Sequence, residues 1–387
     1  MPILEITTTF TMEGKSVTGG ALGAGGGGAP GTVPSVINMT GTCAFAWSQG
    51  QFDNVNHKLD GTATTGVIAP PPAGQIDNKR LVTGKLENYG TISSTSYVVL
   101  DGSWIQNFGR INLLDGWRFD GADSNNVVPS TTNVAEIDNV GFIDDTTQGR
   151  IGFENNVTTR RALLFNDAGG NPSIIRVSAG NGMDILWDVQ SYGDFELLSG
   201  NTNFGAGITA GAGSSTRLND GNISVPDTIN ALGTPTAFYL TGGILDGVGR
   251  IDGAVLNGFT FQMGQLIPTL GGIVHPGIGP GTGVMVIGTY AQSAFGMLAI
   301  SIDAANQLNS LLFVKTSAFI DGELFVLPIA GAASLTSGSF PFLLAFGGIT
   351  GNFSHYDPPV WDVGPTRYTL ILSESNSVDT LTVQQYG

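Results

Sequence analysis

The chain has 387 residues, 58 of them glycine, with a charged fraction of 12% and a formal net charge of −16. Charged residues are about half as frequent as the usual ~25%, which is atypical of a soluble helical enzyme, and the absence of a Gly-X-Y period excludes collagen. The excess of acids, 31 against 15 Lys and Arg, argues against nucleic-acid binding, which needs clustered basic residues.

The N-terminal residues predict a strand on a tether. In residues 1–13, apolar side chains alternate with threonines, and residues 14–35 form a Gly-rich linker. The strand either caps the end of its own domain or adds to the open edge of a neighbouring copy, which would link subunits head to tail. The candidate assembly residues are Leu4, Ile6, Phe10 and Met12.

Cysteine content and hydropathy indicate where the protein is located relative to the cell. The single cysteine, Cys43, excludes an intramolecular disulfide framework, and its apolar neighbours predict a buried thiol. No apolar run is long enough for a transmembrane helix. No signal peptide precedes Met1, yet the composition is typical of secreted β-proteins, so we expect an extracellular or cell-surface protein whose leader is absent from this form.

A weak repeat follows the linker. Its form is apolar, any residue, Asn or Asp, any residue, Gly, any residue, Ile. The Asn and Gly are typical of turn residues that tolerate positive φ, and we predict that each copy's final isoleucine points inward and stacks on the others. The copies are Leu86–Ile92, Ile105–Ile111, Ile137–Ile143 and the degenerate Leu245–Ile251. We expect Asp120–Thr132 to form a protruding loop.

The repeat predicts an all-β fold, a right-handed parallel β-helix. Apolar pieces of two to four residues separated by Gly, Asp, Asn and Pro, as between Leu245 and Tyr290, are too short for helices. Strands this short need neighbours stacked on both sides. We therefore predict a β-helix over residues 36–330 and a C-terminal β cap over residues 331–387.

No catalytic constellation stands out. Carboxylates recur at Asp144-Asp145, Asp184, Asp188 and Asp194, and stacked coils could align them for glycoside hydrolysis, but basic residues are scarce near them in sequence. The three histidines lie far apart, so zinc is not predicted. A calcium site stays an alternative, because the chain is rich in acidic residues. The nonapeptide repeat of calcium-binding β-rolls is absent. Trp187 and Tyr192 either fill the interior of the coils or stack on sugar rings.

The segment Gly272–Thr282, with the continuation Val284–Gln292, resembles the passenger-domain repeat of bacterial autotransporters and related secreted β-helix proteins. The resemblance covers residues 240–385 well and 80–240 loosely. It implies an exported right-handed β-helix that acts at the cell surface, usually as an adhesin. Neither a C-terminal membrane barrel nor a Gly-x-Ser-x-Gly protease motif is found, so self-translocation and proteolysis are not implied.

Three functions compete at this point. The first is a non-enzymatic structural or adhesive solenoid that assembles with copies of itself into a fibre or surface layer. The second is a carbohydrate-active β-helix, a lyase or hydrolase. The third is a receptor-binding protein similar to a viral tailspike. The expected partners are the chain itself and surface glycans, with no nucleic acid and no cofactor.

Overall fold

The computed structural model describes residues 3–6, 9–12, 17–18, 35–40, 44–48, 51–53, 55–60, 65–70, 73, 79–122, 133–154, 161–167, 173–178, 180, 182–226, 235–262, 264–278, 281–304, 306–329, 338–356, 360–363 and 366–386. Within these ranges the backbone alone is described for 3–6, 9–12, 17–18, 35–40, 44, 51–53, 55–57, 60, 133, 161, 361–363, 366 and 385–386. The chain forms two compact units, Met1–Gly193 and Asp194–Gly387.

The first unit consists of short strands. They are β1 (Ile3–Ile6), β2 (Thr9–Met12), β3 (Val17–Thr18), β4 (Ser35–Thr40), β5 (Ala44–Trp47), β6 (Gln51–Asp53), β7 (Val55–Asp60), β8 (Thr65–Ile68), β9 (Arg80–Val82), β10 (Lys85–Asn88), β11 (Thr91–Ser94), β12 (Tyr97–Asp101), β13 (Ser103–Asn107), β14 (Arg110–Leu113), β15 (Arg118–Ala122), β16 (Asn133–Asn139), β17 (Phe142–Asp145), β18 (Gly149–Phe153), β19 (Arg161–Asn166), β20 (Ile174–Val177), β21 (Met183–Ile185) and β22 (Asp188–Ser191).

Each strand from β1 to β19 pairs in parallel with the strand three places later, so three strands make one coil. Face A contains β1, β4, β7, β10, β13, β16, β19 and β22. Face B contains β2, β5, β8, β11, β14, β17 and β20. Face C contains β3, β6, β9, β12, β15, β18 and β21. The predicted parallel β-solenoid is confirmed, and its handedness stays a prediction.

The second unit is built the same way, with longer strands that turn corners. Its strands are β23 (Asp194–Leu197), β24 (Asn201–Phe204), β25 (Ile208–Ala210), β26 (Ser215–Ser224), β27 (Phe238–Leu240), β28 (Ile244–Asn257), β29 (Phe259–Gln262), β30 (Gln265–Pro268), β31 (Ile273–Pro276), β32 (Val284–Gln292), β33 (Met297–Asp303), β34 (Leu308–Asn309), β35 (Leu311–Val314), β36 (Ala318–Ile320), β37 (Glu323–Pro328), β38 (Ser339–Ala345), β39 (Ile349–Gly351), β40 (His355–Tyr356), β41 (Val360–Val363), β42 (Thr366–Ser373) and β43 (Val378–Tyr386).

Three faces also enclose the second unit. Face D runs through β25, β27, the ends of β28 and β32, β36 and β39. Face E runs through β23, the starts of β26 and β28, β31, β33, β37 and β40. Face F runs through β24, the end of β26, the middle of β28, the start of β32, β35 and β38.

Alternation of side chains builds the interior, because successive residues of a strand point to opposite sides of the sheet. In β10 and β11 the buried and half-buried residues alternate strictly. The predicted inward isoleucines Ile92, Ile111 and Ile143 are buried and stack in register on face B. This stacked apolar interior stabilises each coil against its neighbours.

The fourth copy of the repeat occupies a different place from the other three. Ile251 is fully buried, as predicted, but lies on face F between Ile223 and Ile287. Leu245 lies on face E beside Thr216, whereas the first residues of the other copies lie on face A. The prediction that all four isoleucines share one stack is therefore wrong for Ile251.

The asparagines of the repeat form an internal ladder rather than a series of positive-φ turns. The side-chain amide of Asn88 donates to Oδ1 of Asn107 at 2.7 Å, and Asn107 donates to Asn139 at 2.8 Å. Asn139 donates to Asn166 at 2.8 Å, and Asn166 donates to the Ser191 hydroxyl at 3.1 Å. The four asparagines are completely buried, so each coil supplies the partner that its neighbour's amide needs.

The glycines of the repeat are required by close approach of coils. A Cβ on Gly109 would lie 2.1 Å from the carbonyl oxygen of Gly90, and a Cβ on Gly141 would lie 2.2 Å from that of Gly109. Neither Gly109 nor Gly141 has a positive φ. The expectation of left-handed turns at these positions is wrong, because tight stacking of the corners, not backbone conformation, excludes a side chain.

The N-terminal strands lie on their own chain. The backbone of β1 pairs in parallel with β4, and that of β2 pairs with β5. Val17–Thr18, inside the predicted linker, forms β3 and pairs with β6. In this chain β1, β2 and β3 thus supply the first coil, which corresponds to the capping alternative. The side chains of Leu4, Ile6, Phe10 and Met12 lie outside the described residues, and their role in assembly stays a prediction.

The C-terminal end changes from parallel to antiparallel pairing. Parallel pairing continues past residue 331, through β39 and β40. β43 then pairs antiparallel with β38 and with β42, which in turn pairs with β41. Leu381 and Leu370 of these strands are buried, so the antiparallel strands cover apolar surface at the end of the second unit.

Candidate functional surfaces

The paired carboxylates at the end of β17 point to opposite sides of the strand. Asp144 faces outward and accepts a hydrogen bond from Arg110 at 2.6 Å. Asp145 faces the interior, is fully buried, and accepts a hydrogen bond from the Trp117 indole at 2.9 Å. Because consecutive strand residues cannot share a face, this pair cannot work on one glycosidic bond.

Burial changes the acidity of Asp145. It raises the pKa of this carboxyl to about 7, although the hydrogen bonds from Trp117 and Thr147 act in the opposite direction. One carboxyl oxygen, Oδ2, is buried without a hydrogen-bond partner in the structure. This is a structural acid inside the coils, beyond the reach of a polysaccharide.

An arginine–carboxylate network covers the outer side of face C. Arg80 donates from Nη1 to Asp101 at 2.7 Å and from Nη2 to both oxygens of Glu154 at 2.6 Å. Arg118 pairs with Asp120, and its guanidinium lies 5.1 Å from the centre of the Tyr97 ring. Burial raises the pKa of Tyr97, and the nearby Asp120 and Glu154 raise it further.

The contacts of Arg80 escape sequence reasoning because its partners are far away in the chain. Arg80 and Glu154 are separated by 74 residues. Asp101 and Asp120 are completely buried beneath these contacts. The guanidinium groups neutralise the carboxylates and tie consecutive coils together, which favours a structural role for the network.

A second cationic contact lies on the outer side of face B. The guanidinium carbons of Arg110 and Arg176 lie 4.4 and 5.0 Å from the centre of the Phe142 ring. The three residues come from consecutive coils, β14, β17 and β20. Such cation–π contacts stabilise the stacking of coils as well as offering charge to solvent.

The two aromatic residues predicted as glycan-stacking candidates occupy different environments. Trp187 is completely buried, and its indole N–H donates to the Gly152 carbonyl at 2.5 Å. It fills the interior, so stacking of Trp187 on a glycan is ruled out. Tyr192 is half-buried, with its ring 5.6 Å from that of Phe165.

Face A of the first unit has an outer surface that sequence reasoning missed. Trp104 is 43% exposed there, next to Lys85 on one neighbouring strand and Glu136 on the other. Two residues along the strands, Gln106 lies between Glu87 and Asp138. The alternation within residues 103–107 could have identified Trp104 as outward, since it lies between the inward Ser103 and Ile105.

Face F of the second unit exposes apolar side chains on consecutive coils. Val286, Phe313 and Leu344 face outward in register, and the 76% exposed Phe346 packs edge-on against Phe313 at 5.1 Å. Val284, which is 47% exposed, lies beside Leu311. We call these residues the face F patch: Val284, Val286, Leu311, Phe313, Leu344 and Phe346.

The histidines, for which the sequence predicts no zinc site, lie in different environments. His275 is buried, and its Nε2 lies 2.9 Å from the Ser301 hydroxyl; burial lowers its pKa. His355 is exposed, and the side chain of His57 is outside the described residues. In the part of the chain that the structure describes, no three His, Cys, Asp or Glu side chains come together as a possible metal site.

Comparison with protein-family models and with curated proteins finds no match for this chain. Within the described ranges, no helix has the length and apolar character needed to cross a bilayer.

Proposed function

We propose that this protein is a non-enzymatic structural or adhesive β-solenoid of the cell exterior that associates with copies of itself. The observation that carries the proposal is the face F patch, five of whose apolar side chains project from β32, β35 and β38, which are neighbours on face F, while Phe346 directly follows β38. Contiguous apolar surface on a soluble chain usually marks an interaction site.

A second copy of the chain suits this patch. The strands of face F run parallel and about 4.8 Å apart, so they present a regular ladder on which a like surface can pack face to face. A contact between the same patch on two copies is isologous and gives a closed dimer, whereas a contact with a different surface extends into a filament. The patch therefore supports self-association. Whether the product is a closed dimer or a filament is for experiment to decide.

The arginine-neutralised acids support the non-enzymatic part of the proposal. Hydrolysis of a glycosidic bond needs two carboxyl groups that face one substrate, with one of them protonated. On face B the outward carboxylate of Asp144 is bound by Arg110, and on face C the carboxylates of Asp101 and Glu154 are bound by Arg80. Guanidinium contacts of this kind occupy carboxylate oxygens that a catalytic acid or base would need for its substrate.

Sedimentation velocity of the full chain tests the proposal. The double variant Phe313→Ser, Phe346→Ser should shift the distribution toward monomer at concentrations where the unchanged chain associates. The matched control is Phe325→Ser, since Phe325 is 43% exposed but lies on face E. A chain that is monomeric at all concentrations, or a double variant that associates like the unchanged chain, would contradict the proposal.

A further inference from the structure

The outer side of face A in the first unit carries two ordered rows of side chains. One row contains Lys85, Trp104, Glu136, Leu163 and Asp188, in register across β10, β13, β16, β19 and β22. The parallel row contains Glu87, Gln106, Asp138, Phe165 and Gln190. In the first row apolar side chains alternate with charged ones, and in the second row Phe165 lies among hydrogen-bonding side chains.

Trp104 is the most exposed member of this surface. It is 43% exposed, whereas Trp47, Trp117 and Trp187 are at most 2% exposed. Exposure of an indole face to water is unfavourable, because apolar surface must be hydrated. The electron-rich π surface of the indole attracts C–H groups and cations. A pyranose ring offers such C–H groups on one side and hydroxyls around its edge.

Polar side chains that can bind the hydroxyls of a sugar ring lie around the indole of Trp104. Glu136 is its neighbour on the next strand, and Gln106 follows two residues later on the same strand. Gln106 donates to Oδ2 of Asp138 at 2.9 Å, and this bond orients the amide of Gln106. Carboxylate and amide oxygens accept hydrogen bonds from hydroxyls, so Glu136 and Gln106 can receive the edge of a ring stacked on Trp104.

The charge of the surface selects the class of ligand. The two rows contain four carboxylates, Glu87, Glu136, Asp138 and Asp188, against Lys85, and Lys58 of β7 lies next to Glu87 in the second row. Lys85 is itself paired with Glu87 at 2.5 Å. A net negative surface repels uronates, sulfates and phosphates, and favours ligands without negative charge.

We propose that the outer side of face A in the first unit binds a neutral polysaccharide, with Trp104 as its stacking platform and Glu136 and Gln106 as hydroxyl acceptors. Leu163 lies two strands beyond Trp104 in the same row, about 9.6 Å away at the strand spacing, and provides the next apolar contact along the chain of sugars. The inference concerns a different unit and surface from the proposed self-association and does not depend on it.

Tryptophan fluorescence tests this directly. The full chain is titrated with soluble neutral polysaccharides (a β-glucan, a mannan and dextran) and with polygalacturonate as the anionic comparison. At least one neutral polymer should shift the emission, with saturation, and polygalacturonate should not. Trp104→Ala should abolish the shift and weaken binding in affinity electrophoresis by about tenfold or more, the usual loss for one stacked ring.

Two further variants separate stacking from loss of fold. Trp104→Phe keeps a ring and should retain part of the affinity, and Glu136→Gln should weaken binding while leaving the emission of the free protein unchanged. Phe346→Ala, on face F, serves as the control that keeps full affinity. Failure of every neutral polymer to bind, equal binding by Trp104→Ala, or preferential binding of polygalacturonate would each overturn the proposal.

Discussion

At the residue scale, the asparagine ladder shows how one side chain ties two coils together. Asn107 both accepts a hydrogen bond from Asn88 and donates one to Asn139. Its amide also lies 3.2 Å from the carbonyl oxygen of Phe142. Inside an apolar solenoid these bonds are not replaced by water, so every amide depends on the coil on either side.

We expect Asn107→Ala to destabilise the first unit by several kcal/mol. The change leaves a donor of Asn88 and an acceptor of Asn139 buried and unpaired, and each such group costs about 1–3 kcal/mol. Urea denaturation followed by circular dichroism measures the loss. Ser93→Ala, at an outward position of β11, is the control and should change stability little. Equal midpoints for the two variants would contradict the importance of the ladder.

At the scale of the element, the corners between strands are as restrictive as the strands. The corner after each asparagine passes so close to the corner of the next coil that Gly109 and Gly141 have no room for a side chain. The strands themselves tolerate variation on the outside, where Trp104, Gln106 and Lys85 differ in size and charge. The Asn and Gly of the repeat are therefore required by contacts between coils rather than by the turn conformation within a single coil.

Gly109→Ala should disrupt the coil it belongs to. Its new Cβ would lie 2.1 Å from the Gly90 carbonyl oxygen, which belongs to the backbone and cannot rotate away. Thermal unfolding should begin at a lower temperature than in the unchanged chain. Gly180→Ala, where a Cβ would meet nothing within 4 Å, is the matched control. A thermal midpoint as high as that of the control would show that the corner can relax.

At the scale of the whole molecule, buried acids connect stability to pH. Burial raises the pKa of Asp145 to about 7, and it raises that of Asp379 to about 6 despite a hydrogen bond from the Ser375 amide. Asp145 belongs to the first unit and is the last residue of β17. Asp379 belongs to the second unit and is the second residue of β43. Both carboxyls are more readily ionised in the unfolded chain, where aspartate has a pKa near 3.9.

We therefore expect stability to fall as pH rises. Between about pH 4 and 7 the folded chain binds more protons at these two sites than the unfolded chain, so their contribution is complete at low pH and lost as pH rises through the folded pKa values. Urea midpoints at pH 5, 6, 7 and 8 measure this. The double variant Asp145→Asn, Asp379→Asn should flatten the profile, and Asp115→Asn, at an exposed position, should not. A profile that is unchanged in the double variant would contradict the assignment.

The sequence by itself determined the class of fold and much of the interior. Period-two alternation, short apolar pieces and the spaced repeat predict stacked parallel strands, since each of these depends on near neighbours in the chain. For the same reason the inward positions of Ile92, Ile111 and Ile143 could be predicted from the repeat. Outward Trp104 was within reach of the same alternation, although it was not identified.

Only the tertiary structure decided which residues meet across coils. The partners of Arg80 are 21 and 74 residues away, and the buried site of Trp187 depends on Gly152 in another coil. The degenerate repeat at Leu245–Ile251 shares letters with the others but lies on different faces. Loops of variable length between strands shift the register along the sequence, so spacing alone cannot identify the residue stacked above or below. Surfaces such as face A and the face F patch, which are assembled from several coils, become visible only once that register is known.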